Sequence, residues 1–303
     1  MTTPARVFYS APRLLCGIAL LAATSPAAFG SSIDELSAAD PAGHVEVTNT
    51  SGSVEITGWD RREVEVTGEL GKGSERLEFG TSGNVTHIKV VMPERSRGVK
   101  ESELRIRVPA GSSIAVNTVS ADIEVRNVSG AQRLQSVSGD IVAGTLSNEV
   151  ECKTVSGDVV LTGPGSPGIF TITTVSGDAE LSGVAGEVNA HTVSGDIELV
   201  TGTTARSRLR STSGDLTLTG TLSSDARLDV ESISGDVRVN LEGGVNAEFD
   251  ISSFNGEIRN CFDQEATRTS EYAPGRELRF REGAGTARIR IKTLNGDINV
   301  CGR

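Results

Sequence analysis

Short runs in which apolar and polar residues alternate recur along the chain. Val45-Glu46-Val47, Val54-Glu55-Ile56, Glu63-Val64-Glu65-Val66 and Leu104-Arg105-Ile106-Arg107-Val108 are clear cases. A period of two puts one face of a strand against a core and the other in solvent. His87-Ile88-Lys89-Val90-Val91-Met92 is a further strand candidate. The Gly-, Ser- and Pro-containing stretches between these runs read as turns. No stretch sustains a helical period.

From residue 111 the alternation becomes a repeat. Its clearest copy is Thr192-Val193-Ser194-Gly195-Asp196-Ile197-Glu198-Leu199. The Ser or Asn positions Ser120, Ser138, Ser156, Ser176, Ser194, Ser213, Ser234 and Asn255 are 18, 18, 20, 18, 19, 21 and 21 residues apart. Ser51 heads a distant first copy and Asn295 a drifted last one. Four residues before this position stand Val47, Val116, Leu134, Cys152, Ile172, Ala190, Leu209, Val230, Ile251 and Ile291. Three residues after it stand Val54, Ile123, Ile141, Val159, Ala179, Ile197, Leu216, Val237, Ile258 and Ile298. The residue just before it is mostly Val, Ile, Leu or Phe, with Thr50 and Thr212 as exceptions, and reads as a third inward column. The remaining columns vary freely. Each unit therefore reads as strand, corner, strand and return, and only stacking lets the units share one core.

The pattern predicts an all-β chain: a parallel β-solenoid, or β-helix, of coils ~18–21 residues long. It places Val175, Ile197, Leu199, Val230 and Ile251 inside. Residues 42–110 read as a first repeat followed by a small antiparallel β layer that caps the stack. Residues 111–303 carry the solenoid repeats, with an excursion at 262–284 and a closing unit at 285–303. Residues 31–41 read as a loose leader. Residues 1–30 carry Arg6 and Arg13, an apolar run from Leu14 to Ala23 and small residues up to Gly30. That is the layout of an export signal cut near Gly30, and it points to a periplasmic or secreted protein. Cys16 lies too early in the apolar run for a lipid anchor. No segment approaches the ~20 apolar residues of a transmembrane span.

Net charge narrows the partners. The formal charge of −11 becomes −13 once Arg6 and Arg13 leave with the signal. Such a chain is a poor partner for nucleic acid or anionic lipid. Three cysteines remain: Cys152, Cys261 and Cys301. Cys261 and Cys301 each follow the Asn of their unit by six residues. They share a column, so looping out 262–284 brings them to the spacing of neighbouring coils, within reach of a disulfide. Cys152 stands in an apolar column and reads as a buried free thiol.

Two columns invite chemistry. The first holds Asp122, Asp140, Asp158, Asp178, Asp196, Asp215, Asp236 and Asp297, with Glu257. A calcium-binding β-roll repeats its Gly-x-Asp unit twice per coil, whereas this chain has one Gly-Asp per 18–21 residues and no second Gly-x-Asp within the unit. The Asp column therefore reads as a set of corner caps accepting backbone N–H groups. The second is the Ser column. A serine nucleophile needs a positioned base, and His44, His87 and His191 lie in no suggestive motif. Carboxylates in one straight column do not make the paired acid and base of a glycosidase. Trp59 reads as packing at the end of the first unit. No catalytic, metal-binding or cofactor-binding residue follows.

The repeated Val-Ser-Gly-Asp, with Leu104-Arg105-Ile106-Arg107-Val108-Pro109-Ala110-Gly111 leading into it, resembles a bacterial family of unknown function whose members are called putative adhesins. It is also similar to the head domain of putative autotransporter adhesins. The resemblance covers roughly residues 42–303 and implies a β-solenoid without catalytic residues. The expectation is an exported, non-enzymatic module that meets an envelope protein or polysaccharide, without a cofactor. The alternative is a β-helix enzyme or binder acting on envelope polysaccharide.

Overall fold

The columns read from the sequence are the register of the sheet. Val47, Val116, Leu134, Cys152, Ile172, Ala190, Leu209 and Val230 are successive partners across parallel ladders. Val54, Ile123, Ile141, Val159, Ala179, Ile197, Leu216 and Val237 form a second such line. Both lines are buried in one continuous core. The computed structural model describes residues 31–93, 100–270, 272 and 274–302, and the described chain is all-β. The expected export signal, its cut near Gly30 and Cys16 lie outside the described residues. Each coil is named below by its corner Ser or Asn.

Chain order and spatial order differ at both ends. The strand His44–Trp59 of the Ser51 coil pairs in parallel with Ser113–Arg126 on one side. On its other side it pairs, again in parallel, with Val85–Val91 and Ser102–Pro109. The region expected to form an antiparallel layer thus supplies one more parallel coil. The antiparallel strands lie outside that coil: Arg76–Ser82 on Val85–Val91, and Glu63–Glu69 on Ser102–Pro109. The stretch expected to be a loose leader carries a strand, Ser32–Ala38, paired with Glu63–Glu69. Ile33 anchors it in the core.

The C-terminal end repeats the device. Ala287–Asn295 and Ile298–Gly302 form the Asn295 coil. It sits between the Ser234 coil and the Asn255 coil rather than closing the stack. Closure falls to Arg276–Glu282, a strand inside the excursion that runs antiparallel on Ala247–Asn255. Phe280 on that strand stacks on Phe249 at 4.3 Å, and Phe262 packs 5.2 and 5.3 Å from the two rings. Antiparallel strands thus cover Val85–Val91, Ser102–Pro109 and Ala247–Asn255 at the two ends, while Ile258–Asn260 pairs only with Ile298–Gly302.

Cys261 and Cys301 are joined by a disulfide, their Cα atoms 4.8 Å apart in neighbouring coils. Cys152 is buried and free. Burial, with a smaller contribution from Glu151, pushes its thiol up to about 12.

Candidate interaction surface

The corners show what the repeated residues do. Asp140 donates its N–H to Asp122 Oδ1 at 3.0 Å, Asp158 to Asp140 at 2.9 Å, and Asp178 to Asp158 at 2.9 Å. The chain of bonds runs on through Asp196, Asp215, Asp236, Asp297 and Glu257 at 2.7–2.9 Å. Each Asp carboxylate therefore satisfies a backbone donor of the next coil, in space rather than in sequence. Among the described residues, no group of three or more His, Cys, Asp or Glu is arranged to hold a metal ion. The glycine before each Asp after Asp122 answers a close approach. A Cβ on Gly195 would stand 2.1 Å from the carbonyl oxygen of Gly177 one coil away.

The position two before each corner Ser or Asn points inward, and the next one points out. Thr118, Thr154, Thr174, Thr192, Ser211 and Thr293 are buried. Their hydroxyls face carbonyl oxygens at the corners: Thr118 to Ala121 at 3.0 Å, Thr174 to Gly157 at 3.4 Å, Thr192 to Gly177 at 3.5 Å. An apolar side chain would leave these carbonyls without a donor. This corrects the expectation that Val175 is buried: it is 40% exposed, whereas Ile197, Leu199, Val230 and Ile251 are inside.

The displaced residues build a ridge. Val119, Val137, Val155, Val175, Val193, Ile233, Leu294 and Phe254 stand on successive corners, each 38–52% exposed, with Thr212 filling the one gap. The coil spacing of ~4.8 Å makes this a straight apolar line along the stack, flanked by exposed Ser. Its C-terminal end borders an open groove of about 580 Å³ lined by Ile233, Phe254 and Leu294 together with Arg210, Arg276 and Lys292. Thr269, Gly275 and Arg276 of the excursion form one wall.

Beside the groove, the outer face of the same strands carries stacked charges. Arg208 reaches Asp229 at 3.9 Å, Arg210 reaches Glu231 at 3.1 Å, Arg290 reaches Asp250 at 3.8 Å and Arg279 reaches Asp250 at 3.1 Å. The bonded and nearby carboxylates, Asp250 first, hold the Arg279 guanidinium above its usual range. In an earlier coil Lys153 and Arg133 hold Glu151 below the usual carboxylate range.

The other candidate residues fall elsewhere. The corner Ser residues are exposed or half-buried scaffold positions. His191 borders the groove. Trp59 donates its indole N–H to Glu63 O at 2.8 Å, with Arg61 and Arg107 over its ring at 5.0 and 5.7 Å. A cluster with no sequence motif joins two further histidines: His87 Nδ1 lies 3.0 Å and His44 Nε2 3.6 Å from the Glu46 carboxylate. His44 Nδ1 shares a hydrogen bond with Ser113 Oγ at 2.9 Å, and Ser113 Oγ also lies 3.4 Å from Gly43 O. All of these side chains sit on an open strand face, His44 one-third and His87 over half exposed. Residues 61–110 leave the repeat, so no column in the sequence announces that His87 lies beside Glu46.

A family model described as Toastrack DUF4097 matches residues 44–301. Among solved structures, the chain is similar to a putative adhesin from Bacteroides fragilis NCTC 9343, with 12% identity, TM-score 0.44 and coverage of 89% of this chain and 97% of that one. It is also similar to a putative adhesin from Parabacteroides distasonis ATCC 8503, with 8% identity, TM-score 0.34 and coverage of 89% and 97%. A putative cell adhesion protein from Clostridium sporogenes ATCC 15579 shares 10% identity, with TM-score 0.23 and coverage of 90% and 100%. No curated protein matches the chain.

Proposed function

We propose that this chain, which belongs to the Toastrack DUF4097 family, is an exported, non-enzymatic interaction module of the cell envelope. Its form is a parallel β-solenoid, and its working surface is the corner ridge with the groove at its end. The observation that carries this reading is the ridge. The corner places a large apolar residue in solvent on coil after coil while a Thr or Ser takes the inward place. Contiguous exposed apolar surface on a soluble protein marks a docking site more often than chance. A straight line of such residues suits an extended partner lying along the rod.

The enzymatic alternative draws on one arrangement, Ser113, His44 and Glu46. A nucleophile needs a base held tightly by a third group in a site shielded from water. Here Glu46 is shared with His87 and stands 3.6 Å from His44 on an exposed face. The cluster fits a cross-strand clasp on the first coils better than a relay.

The test is co-sedimentation of the purified mature chain with a bacterial envelope fraction. Val137→Ser with Val155→Ser trims the ridge without touching the core. The expected outcome is a clear loss of bound protein at an unchanged melting temperature. Equal binding by wild type and variant would remove the ridge from the account.

A further inference from the structure

The chain carries a formal charge of −11, yet one face is basic. It is the outer face of the strands before the corner in the Ser213, Ser234, Asn295 and Asn255 coils, extended by the closing strand Arg276–Glu282. Four of its cations, Arg227, Arg281, Arg288 and Lys292, have no carboxylate oxygen within 4.0 Å among the described residues, nor has Arg276, which stands at the start of the closing strand on the side of Leu278 and Phe280, while Arg206, Arg208, Arg210, Arg279 and Arg290 of the same face do. Glu248 is the one carboxylate on this face likewise without a cation within that distance among the described residues. The free cations are not scattered. Arg227 and Arg288 are direct register partners in adjacent coils. Lys292 and Arg276 border the groove that holds Phe254, and Arg227, Arg281 and Arg288 border a second open cavity of about 700 Å³ on the same strands.

We infer that this face binds an acidic polysaccharide, a chain of sugar rings carrying carboxylates, with Arg227, Arg288, Arg281, Lys292 and Arg276 meeting the acid groups and Phe254 receiving the apolar face of a ring. The inference rests on the docking reading above and names its ligand class. Three observations select it. Like charges on adjacent coils repel at ~5 Å unless an anion lies between them; Arg288 has Glu248 as its register partner on one side but Arg227 on the other, so the Arg227–Arg288 side favours a bound polyanion. The coil strands of this face are paired on both sides, by neighbouring coils or by the closing strand. The closing strand is paired on its outer side only at Arg276 and Glu277, so the free backbone edge is confined to its last five residues, away from Lys292 and Phe254. Phe254 is an exposed aromatic platform, 52% accessible, beside those cations. A sugar ring presents the matching combination of an apolar C–H face and a polar rim.

The experiment is calorimetric titration of the full mature chain with oligogalacturonate. Neutral malto-oligosaccharide, poly-glutamate and single-stranded DNA serve as comparisons. Oligogalacturonate is expected to bind with an affinity that falls as salt rises, and the neutral oligosaccharide is expected not to bind. Arg288→Ala with Lys292→Ala should weaken binding by about tenfold or more, the usual effect of losing charge-assisted contacts. Phe254→Ala should weaken galacturonate several-fold and leave any poly-glutamate binding unchanged. Absence of oligogalacturonate binding would overturn the inference. So would poly-glutamate or DNA binding as tightly as galacturonate with no dependence on Phe254, because the face would then recognise charge alone. Val137→Ser with Val155→Ser lies on remote coils and should leave galacturonate binding intact. If galacturonate fails while envelope binding still depends on those valines, the ligand class falls and the docking ridge stands.

Discussion

The corner Asp is a structural residue with a sharp test. Asp178 Oδ1 accepts the Asp196 N–H at 2.8 Å. Asp178→Ala leaves that donor to solvent and should cost about 1 kcal/mol, the usual net worth of one hydrogen bond. Asp178→Asn keeps an oxygen at Oδ1 and should cost markedly less. Neither melting temperature should change when calcium is added or chelated. A calcium-dependent melting temperature in wild type, lost in Asp178→Asn, would return the column to the metal reading. The aspartate role and the two core columns were legible because they recur in register. The Thr–Val inversion was not. On hydrophobicity alone Val175 belongs inside and Thr174 outside. What decides is a corner carbonyl that needs a donor, visible once Thr174 is placed 3.4 Å from Gly157 O. The ridge was thus present in the sequence as a column and misread as core.

Coil order is where reading along the chain failed most. The repeat says which residues share a column, but adjacency in space is chosen by other forces. In sequence, the Ser234 coil carries Asp229 and the next coil, Asn255, carries Asp250. Stacked in that order the two carboxylates would face each other. Intercalating the Asn295 coil places Arg290 between them, a register partner of both. Cross-strand charge pairs contribute only ~0.2–1 kcal/mol each, so they bias the order rather than impose it. The Phe249–Phe280 stack acts in the same direction, since it needs the Asn255 coil outermost. The disulfide was legible from spacing because adjacency of the two coils holds whichever lies outermost. Arg290→Glu should therefore destabilise by about 1–2 kcal/mol, placing like charges directly opposite on both sides. Arg281→Glu, on the closing strand, should cost less because its partner row holds the single carboxylate Glu248. Equal unfolding free energies for the two variants would contradict the charge-ordered stack.

In the proposed solenoid, coils at ~4.8 Å spacing add up to a rod of roughly 50 Å with the apolar line along one corner. Whole-chain charge points away from polyanions, yet the C-terminal coils gather free cations beside that line. Such a local surplus is hidden in composition, because it depends on which outward positions share a face. The central claim is that the corner ridge is the surface that meets the envelope. Photochemical carbene footprinting of the mature chain, with and without envelope fraction, tests it most directly, since the label marks exposed side chains. The expected result is reduced labelling of Val137, Val155, Val175, Val193 and Phe254 on binding, with outward residues after the corner, such as Val142 and Val200, unchanged. Binding with undiminished labelling along the ridge, or protection confined to Val142 and Val200, would contradict it.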